Sequence, residues 1–121
     1  MRKIELRLNL GKKDLVGIIT EQESGSLSFE YTEKWVKSGF YIDPMIPLEF
    51  KGILSKDQID GLLERLPSKD NPRYEEHCAA WGIKKDETDL MILLSTLGHK
   101  SASSIELFPI GFRPGIWSQI S

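Results

Sequence analysis

Residues 3–10 have the sequence KIELRLNL, in which polar and apolar side chains alternate without a break. Isoleucine or leucine occupies each even position from 4 to 10, and lysine, glutamate, arginine and asparagine occupy the odd positions. Successive side chains of a β-strand point to opposite faces of a sheet. This period of two therefore predicts a strand with one face on a core and the other in water.

Two more strands follow, each preceded by a turn. Residues 11–14 (GKKD) and 23–26 (ESGS) combine glycine with charged or short polar side chains, which is typical of turns. Residues 15–20 (LVGIIT) and 27–31 (LSFEY) have strand composition. Because the connections are short, we predict an antiparallel meander of three strands.

The segment after the meander has mixed character. Residues 32–39 have the polar and aromatic composition of a short helical turn. Pro44 and Pro47 fix their own backbone φ and disfavour helix in the residues before them. Residues 41–48 are therefore predicted to be extended, with Pro47 at an edge or a bulge of the sheet.

The apolar period changes to that of a helix in the second half of the chain. Ser55 and Gln58 have the spacing of a capping box, which marks a helix start. The three predicted helices begin near Ser55, Asn71 and Asp86 and end at Pro67, Gly82 and Gly98. Their inward positions are Ile59, Leu62, Leu63 and Leu66, then Tyr74, Cys78 and Trp81, then Leu90, Leu93, Leu94 and Leu97.

The last residues complete the fold class. Residues 104–108 return to a strand pattern, which Pro109 is predicted to end. Strands, then helices, then a strand describe an α+β domain with about three helices in the second half, which we place at residues 1–109. Residues 110–121 have no period, so we predict a C-terminal tail that is either a docking arm or disordered.

Composition sets limits on function. The chain has 121 residues, with 16 basic and 18 acidic residues interspersed, so we expect one domain that does not bind nucleic acid directly. No apolar run reaches the roughly 20 residues that span a bilayer, and the amino terminus lacks the apolar core of a signal peptide. The single cysteine, Cys78, can form no internal disulfide. We predict a cytoplasmic protein.

Candidates for catalysis or metal binding are weak. His77 and Cys78 are adjacent, but a zinc site needs three or four ligands. Glu75 and Glu76 would oppose a thiolate at Cys78. Residues 98–104 (GHKSASS) follow a helix, whereas a phosphate-binding loop of this composition leads from a strand into a helix. We predict no catalytic residue, no metal and no cofactor.

Six short motifs remain to be explained. They are Gly17, LSFEY at 27–31, Trp35, MIPL at 45–48, LLERLP at 62–67 and LLSTLG at 93–98. In order and spacing they resemble the N-terminal subdomain of HipA-type toxin kinases, over residues 4–109. The resemblance implies a small antiparallel, partly barrel-like sheet with helices, which in full-length HipA kinases precedes the kinase core and packs on it.

The resemblance also implies a function. The sequence contains no Asp-Phe-Gly and no His-Arg-Asp motif of a kinase. Similar short chains of the HipS type are encoded beside a shortened kinase and a helix-turn-helix protein, and they act as antitoxins. We therefore expect a non-enzymatic antitoxin or accessory subunit that binds a HipA-like serine/threonine kinase in trans. Two alternatives stay open: the N-terminal piece of a single longer kinase, and an adaptor that links the kinase to its DNA-binding partner for autorepression.

Two departures from the family pattern bear on the contact surface. Some stand-alone relatives carry Gly-Trp after the Leu-Pro motif, placed to reach the kinase active site, whereas this chain has SKDN at residues 68–71. Ser103 and Ser104 replace the Gly-Ala pair that is usual before the last strand. We expect contact through the loop after Pro67 and through an exposed tryptophan of the tail. The predicted contact residues are Pro67, Ser68, Lys69, Asp70, Asn71, Arg73, Tyr74 and Trp117.

Overall fold

The computed structural model describes residues 1–100 and 104–119, apart from the side chain of Ser38. This part of the chain is an α+β domain, and the three helices expected in its second half are confirmed. The elements are β1 (Lys3–Leu8), β2 (Leu15–Glu21), β3 (Leu27–Tyr31), α1 (Glu33–Ser38), β4 (Lys51–Ile53), α2 (Lys56–Leu63), α3 (Tyr74–Ala80), α4 (Leu90–Ser95), β5 (Ile105–Ile110) and a 3₁₀-helix (Gly115–Gln119).

The strands form one antiparallel sheet in the order β4-β3-β2-β1-β5. β1 lies in the interior, so that Leu6 is opposite Gly17 of β2 on one side and Leu107 of β5 on the other. The predicted meander is confirmed, since β3 pairs with β2 and places Tyr31 opposite Gly17. Among the described residues β4 and β5 are edge strands, and the sheet is open where the resemblance implied partial closure into a barrel.

The core lies on one face of this sheet, as the alternation predicts for residues 3–8. The predicted strand extended to Leu10, but this residue lies beyond β1 and is 64% exposed. Ile4 and Leu6 are 0% and 2% exposed. They share a hydrophobic cluster with Leu62 of α2 and Leu94 of α4. The helices therefore cover the core face, and the odd-numbered residues of β1 lie on the opposite, wetter face.

Side-chain caps begin α1, α2 and α4. The capping box of α2 is confirmed: Ser55 Oγ accepts from the Gln58 N–H at 3.2 Å, and Gln58 Oε1 accepts from the Ser55 N–H at 2.8 Å. The predicted start of the third helix near Asp86 is wrong. Asp89 is the N-cap of α4, and its carboxylate accepts from the backbone N–H of Met91 at 3.0 Å.

Two errors of the sequence prediction concern the edge strands β4 and β5. Nothing in the sequence predicted β4, whose three residues are too few to show a period. Pro109 was predicted to end the last strand, but β5 continues to Ile110. The N–H of Leu107, two residues earlier, points away from β1 and donates to His99 O at 3.1 Å. Because the direction alternates along a strand, the missing N–H of Pro109 removes no bond to β1.

Tyr31 fixes the loop between α1 and β4. Its hydroxyl donates to Ile46 O at 2.6 Å and accepts from the Ile42 N–H at 3.0 Å. Trp35 is 7% exposed, and its Nε1 donates to Phe40 O at 2.9 Å. These bonds hold the loop on the sheet although it contains no regular strand of its own.

Arg2 joins the sheet to the helices. Its Nε donates to Glu21 of β2 at 2.8 Å, and its Nη1 donates to Asp89 at 2.9 Å. The guanidinium holds the pKa of the Glu21 carboxyl below its ordinary value. Since Asp89 also caps α4, this one side chain links the start of that helix to two strands.

Candidate functional site

The loop between α2 and α3 is held in shape by its own side chains. Ser68 Oγ accepts from the Asp70 N–H at 3.1 Å, and Asn71 Oδ1 accepts from the Arg73 N–H at 2.9 Å. The predicted start of this helix near Asn71 is wrong, because the Asn71 side chain closes a turn before α3 begins at Tyr74. Arg73 is the N-cap and makes no side-chain cap bond.

The predicted contact residues of this loop differ in exposure. Pro67 is half-buried, and the exposed ones are Ser68, Lys69, Asp70, Asn71 and Arg73. Tyr74 is only 7% exposed and belongs to a second hydrophobic cluster with Cys78, Leu93 and Leu97. Tyr74 therefore packs beneath the loop.

A groove of about 550 Å³ lies beside the loop, and we call it the loop groove. It is lined by Asp60, Leu63, Glu64, Leu66, Pro67, Ser68, Lys69, Tyr74, Thr88, Leu90 and Leu93. Its apolar lining comes from α2, α4, the first residue of α3 and the start of the loop, and its exposed residues carry charges of both signs. This mixture of an apolar floor and a polar rim is the usual anatomy of a contact surface between proteins.

Trp117 packs against the body of the domain. Its Nε1 donates to Ser95 O at 2.7 Å, and the Ile116 N–H donates to Trp81 O at 2.9 Å. Gly115 permits this approach, since its φ is 56° and an added Cβ would lie 1.9 Å from Trp81 O. The Trp117 ring is half-buried, so it is less available than an exposed tail tryptophan would be.

His99, which was not among the predicted contact residues, lies at the centre of an aromatic cluster. Its ring centroid lies 5.5 Å from that of Trp81, 4.9 Å from that of Phe108 and 5.0 Å from that of Trp117. His99 Nδ1 lies 2.6 Å from Leu107 O, with which it forms a hydrogen bond. The imidazole thus joins residues 111–119, which we call the C-terminal segment, to strand β5 at the edge of the sheet.

Glu106 is a buried carboxylate next to this cluster. It is 5% exposed, with Oε2 at 3.4 Å from His99 Nε2 and Oε1 at 3.5 Å from Lys13 Nζ. Burial lowers the pKa of His99 below its ordinary value, although the Leu107 carbonyl and the Glu106 charge oppose this shift. No sequence signal could have found the arrangement, because its residues come from different elements with no fixed spacing.

A second groove, of about 940 Å³, lies where β1 and β5 meet the C-terminal segment, and we call it the sheet-edge groove. It is lined by Glu5, Arg7, Lys13, Phe108, Pro109, Ile110, Gly111, Phe112, Arg113 and Trp117. Its floor is the wetter face of the sheet, where Glu5 is opposite Phe108. Of the predicted contact residues, Pro67, Ser68, Lys69 and Tyr74 line the loop groove and Trp117 lines the sheet-edge groove, and the two grooves share no lining residue. Asp70, Asn71 and Arg73 line neither groove.

The family model of the HipA N-terminal domain matches residues 10–108. The chain belongs to this family. Among solved structures, a chain of the Shewanella oneidensis MR-1 toxin–antitoxin complex of HipA, HipB and operator DNA is 24% identical, with a TM-score of 0.65. The match covers 90% of this chain and 24% of that chain, and it shows a shared fold. No curated protein matches the chain significantly.

The family model of the HipA N-terminal domain covers the two grooves to different extents. The matched range includes every residue that lines the loop groove. It leaves out Glu5 and Arg7 at one end and the C-terminal segment with Trp117 at the other. Within the described residues of this HipA N-terminal domain, no helix is long and apolar enough to cross a membrane.

Proposed function

We propose that this HipA N-terminal domain is a non-enzymatic antitoxin or accessory subunit that binds a HipA-like serine/threonine kinase in trans and regulates it in the cytoplasm. The family match over residues 10–108 carries the proposal. The solved relative supports it, because the matched region is 24% of a much longer chain. In the proposed complex the kinase supplies the body on which this domain packs.

The loop after α2 is the proposed main contact. Lys69, Asp70 and Arg73 are exposed, and the turns that carry them are already closed by hydrogen bonds. A preformed loop loses little conformational entropy when it binds, which favours affinity. The loop groove beside it would receive an apolar side chain of the kinase. Trp117 is a second proposed contact, through the part of its ring that stays exposed.

Binding to the kinase encoded next to this chain tests the proposal. We expect calorimetry to show a complex, and we expect the kinase's phosphorylating activity to change when the chain is added. Lys69→Glu should weaken the complex by roughly tenfold, since a charge at an interface rim is reversed. Lys37→Glu, the same change at an exposed position of α1, should have no effect. A wild-type chain that neither binds the kinase nor alters its activity would contradict the proposal.

The solved relative favours a second candidate function, because its complex contains HipB and operator DNA. The chain would then link the kinase to a DNA-binding partner and contribute to autorepression. Operator affinity of the kinase and that partner, measured with and without this chain, distinguishes the two functions. An increase with the chain present supports the adaptor.

A third candidate is the N-terminal piece of a single longer kinase, which the 24% coverage of the solved chain also favours. Gene context decides this case at little cost. A stop codon followed by a separate kinase reading frame supports the subunit, and one continuous frame supports the longer kinase.

A further inference from the structure

The far end of the C-terminal segment is bonded to the body of the domain. The Ile116 N–H donates to Trp81 O at 2.9 Å, and Trp117 Nε1 donates to Ser95 O at 2.7 Å. The Trp117 ring also meets the His99 ring edge to face, with 5.0 Å between the centroids. Two backbone carbonyls and an aromatic surface thus form a docking site for a short segment that carries Ile-Trp.

The residues of this docking site belong to the domain body. Trp81 is the C-cap of α3, Ser95 is the last residue of α4, and Phe108 lies in β5. With His99 they lie within residues 10–108, the range that the family model matches, whereas the C-terminal segment lies outside that range. A second copy of the chain therefore presents the same site.

A hinge rich in glycine and proline connects the segment to β5. Residues 111–115 have the sequence GFRPG. Gly111 directly follows β5 and has a φ of 85°, which lies in the left-handed region that favours glycine. Phe112 is half-buried against the edge of the core. An extended chain from Ile110 to Trp117 spans up to about 24 Å, so the hinge can carry the ring to a second molecule.

We propose that two copies of the chain exchange their C-terminal segments, so that Trp117 of each copy docks on the site formed by Ser95 and Trp81 of the other. The partner is a second copy because it carries the segment that fits this site in the structure. The docking contacts are the same in the closed monomer and in the exchanged dimer, so they favour neither state. A short linker gives an effective concentration on the order of 1 mM, and the dimer should form as the chain concentration approaches that value.

Gly111→Ala tests the exchange at the hinge. An added Cβ at this position would lie 2.6 Å from Met1 O, and alanine disfavours a φ of 85°. Both strains act in the closed monomer and are relieved when the hinge extends toward a second copy. Sedimentation equilibrium between about 10 µM and about 1 mM should give a dimer dissociation constant at least about tenfold lower for Gly111→Ala than for wild type.

Gly115→Ala is the matched control for a glycine of the same segment. Its Cβ would overlap Trp81 O, a contact that the closed monomer and the exchanged dimer share, so this variant should not raise the dimer fraction. Adding Trp117→Ala to Gly111→Ala should remove the dimer, because the docked ring is lost. A dimer that persists in this double variant forms through another surface, and the inference is then wrong.

A peptide measures docking in trans without any change at the hinge. The probe is a fluorescein-labelled peptide with the sequence of residues 111–119, GFRPGIWSQ, and the receptor is the full chain with Trp117→Ala, whose own segment lacks the ring. Fluorescence anisotropy should show binding, and alanine in place of the peptide's tryptophan should weaken it roughly tenfold. Absence of peptide binding would show that the segment stays on its own domain. The same conclusion follows if Gly111→Ala is folded by circular dichroism and is no more dimeric than wild type.

Discussion

At the scale of single residues, Tyr31 shows how one hydroxyl holds an irregular loop. Its oxygen donates to Ile46 O and accepts from the Ile42 N–H, and the two partners lie in a loop that pairs with no neighbouring strand. Tyr31→Phe would leave both backbone groups buried without a partner. Because such groups cost about 1–3 kcal/mol, we expect the free energy of unfolding to fall by about 2 kcal/mol.

Urea denaturation measures this change, and the chain offers a matched control. Tyr41→Phe removes the same atom from a side chain that is 52% exposed, and it should leave the stability within about 0.5 kcal/mol of wild type. Equal losses in both variants would show that the Tyr31 hydroxyl does not hold the loop.

His99 makes stability depend on pH near neutrality. Burial lowers its pKa in the folded chain from the ordinary 6.5. As the pH falls through 6.5, the unfolded chain takes up a proton that the folded chain resists, so the free energy of unfolding falls. Glu106 facing the ring favours the proton, and Lys13 and Lys100 oppose it.

The measurement is urea denaturation between about pH 7.5 and about pH 5.5, a range chosen to bracket the ordinary histidine pKa. His99→Gln should reduce the loss of stability at the acid end, because it removes the titrating group. His77→Gln, at an exposed histidine, should retain it. If the pH dependence of His99→Gln equals that of wild type, another group is responsible.

At the scale of elements, the surroundings of Gly17 explain why this position of β2 needs glycine. It lies in β2, where an added Cβ would come within 2.6 Å of Phe29 Cζ and 2.7 Å of Glu30 O. Gly17→Ala should therefore force β2 and β3 to shift, at a cost of roughly 1–3 kcal/mol. Thermal and urea denaturation measure the loss.

A double mutant identifies the cause of that loss. Phe29→Leu shortens the side chain that meets the new methyl group, so Gly17→Ala should cost less in this background than in wild type. The rescue should be partial, because the Glu30 carbonyl stays in place. A cost that is the same in both backgrounds would exclude the Phe29 ring as the obstacle.

The elements that the sequence predicted are those with local signals. β1 has an unbroken period of two, and α2 has its capping box, so β1 was found within two residues of its observed bounds and α2 at its observed start. The end of α2 lies at Leu63, four residues before the predicted end at Pro67. β4 and the start of α4 were missed, because a three-residue strand and the cap at Asp89 depend on tertiary neighbours. The sheet-edge groove and the His99 cluster were missed for the same reason, since contacts between distant elements build them.

At the scale of the whole molecule, the C-terminal segment decides how much of the chain folds as one unit. The sequence predicted a boundary after residue 109, with a separate tail. In the structure Trp117 bonds to Ser95 O, and Gly115 lies close against Trp81. These contacts lead us to expect that the segment unfolds together with the rest of the domain and not before it.

Trp117→Ala tests this expectation. Removing a buried tryptophan costs about 3–5 kcal/mol, and this ring is half-buried, so we expect a loss of about 2 kcal/mol with a single cooperative transition. Gly115→Ala should also destabilise the domain, because its methyl group would overlap Trp81 O while every aromatic ring is retained. Val36→Ala, at a side chain that is 41% exposed, is the control for loss of apolar surface. If neither Trp117→Ala nor Gly115→Ala lowers the stability below that of the control, the segment is an independent arm, and its tryptophan is free to bind the kinase.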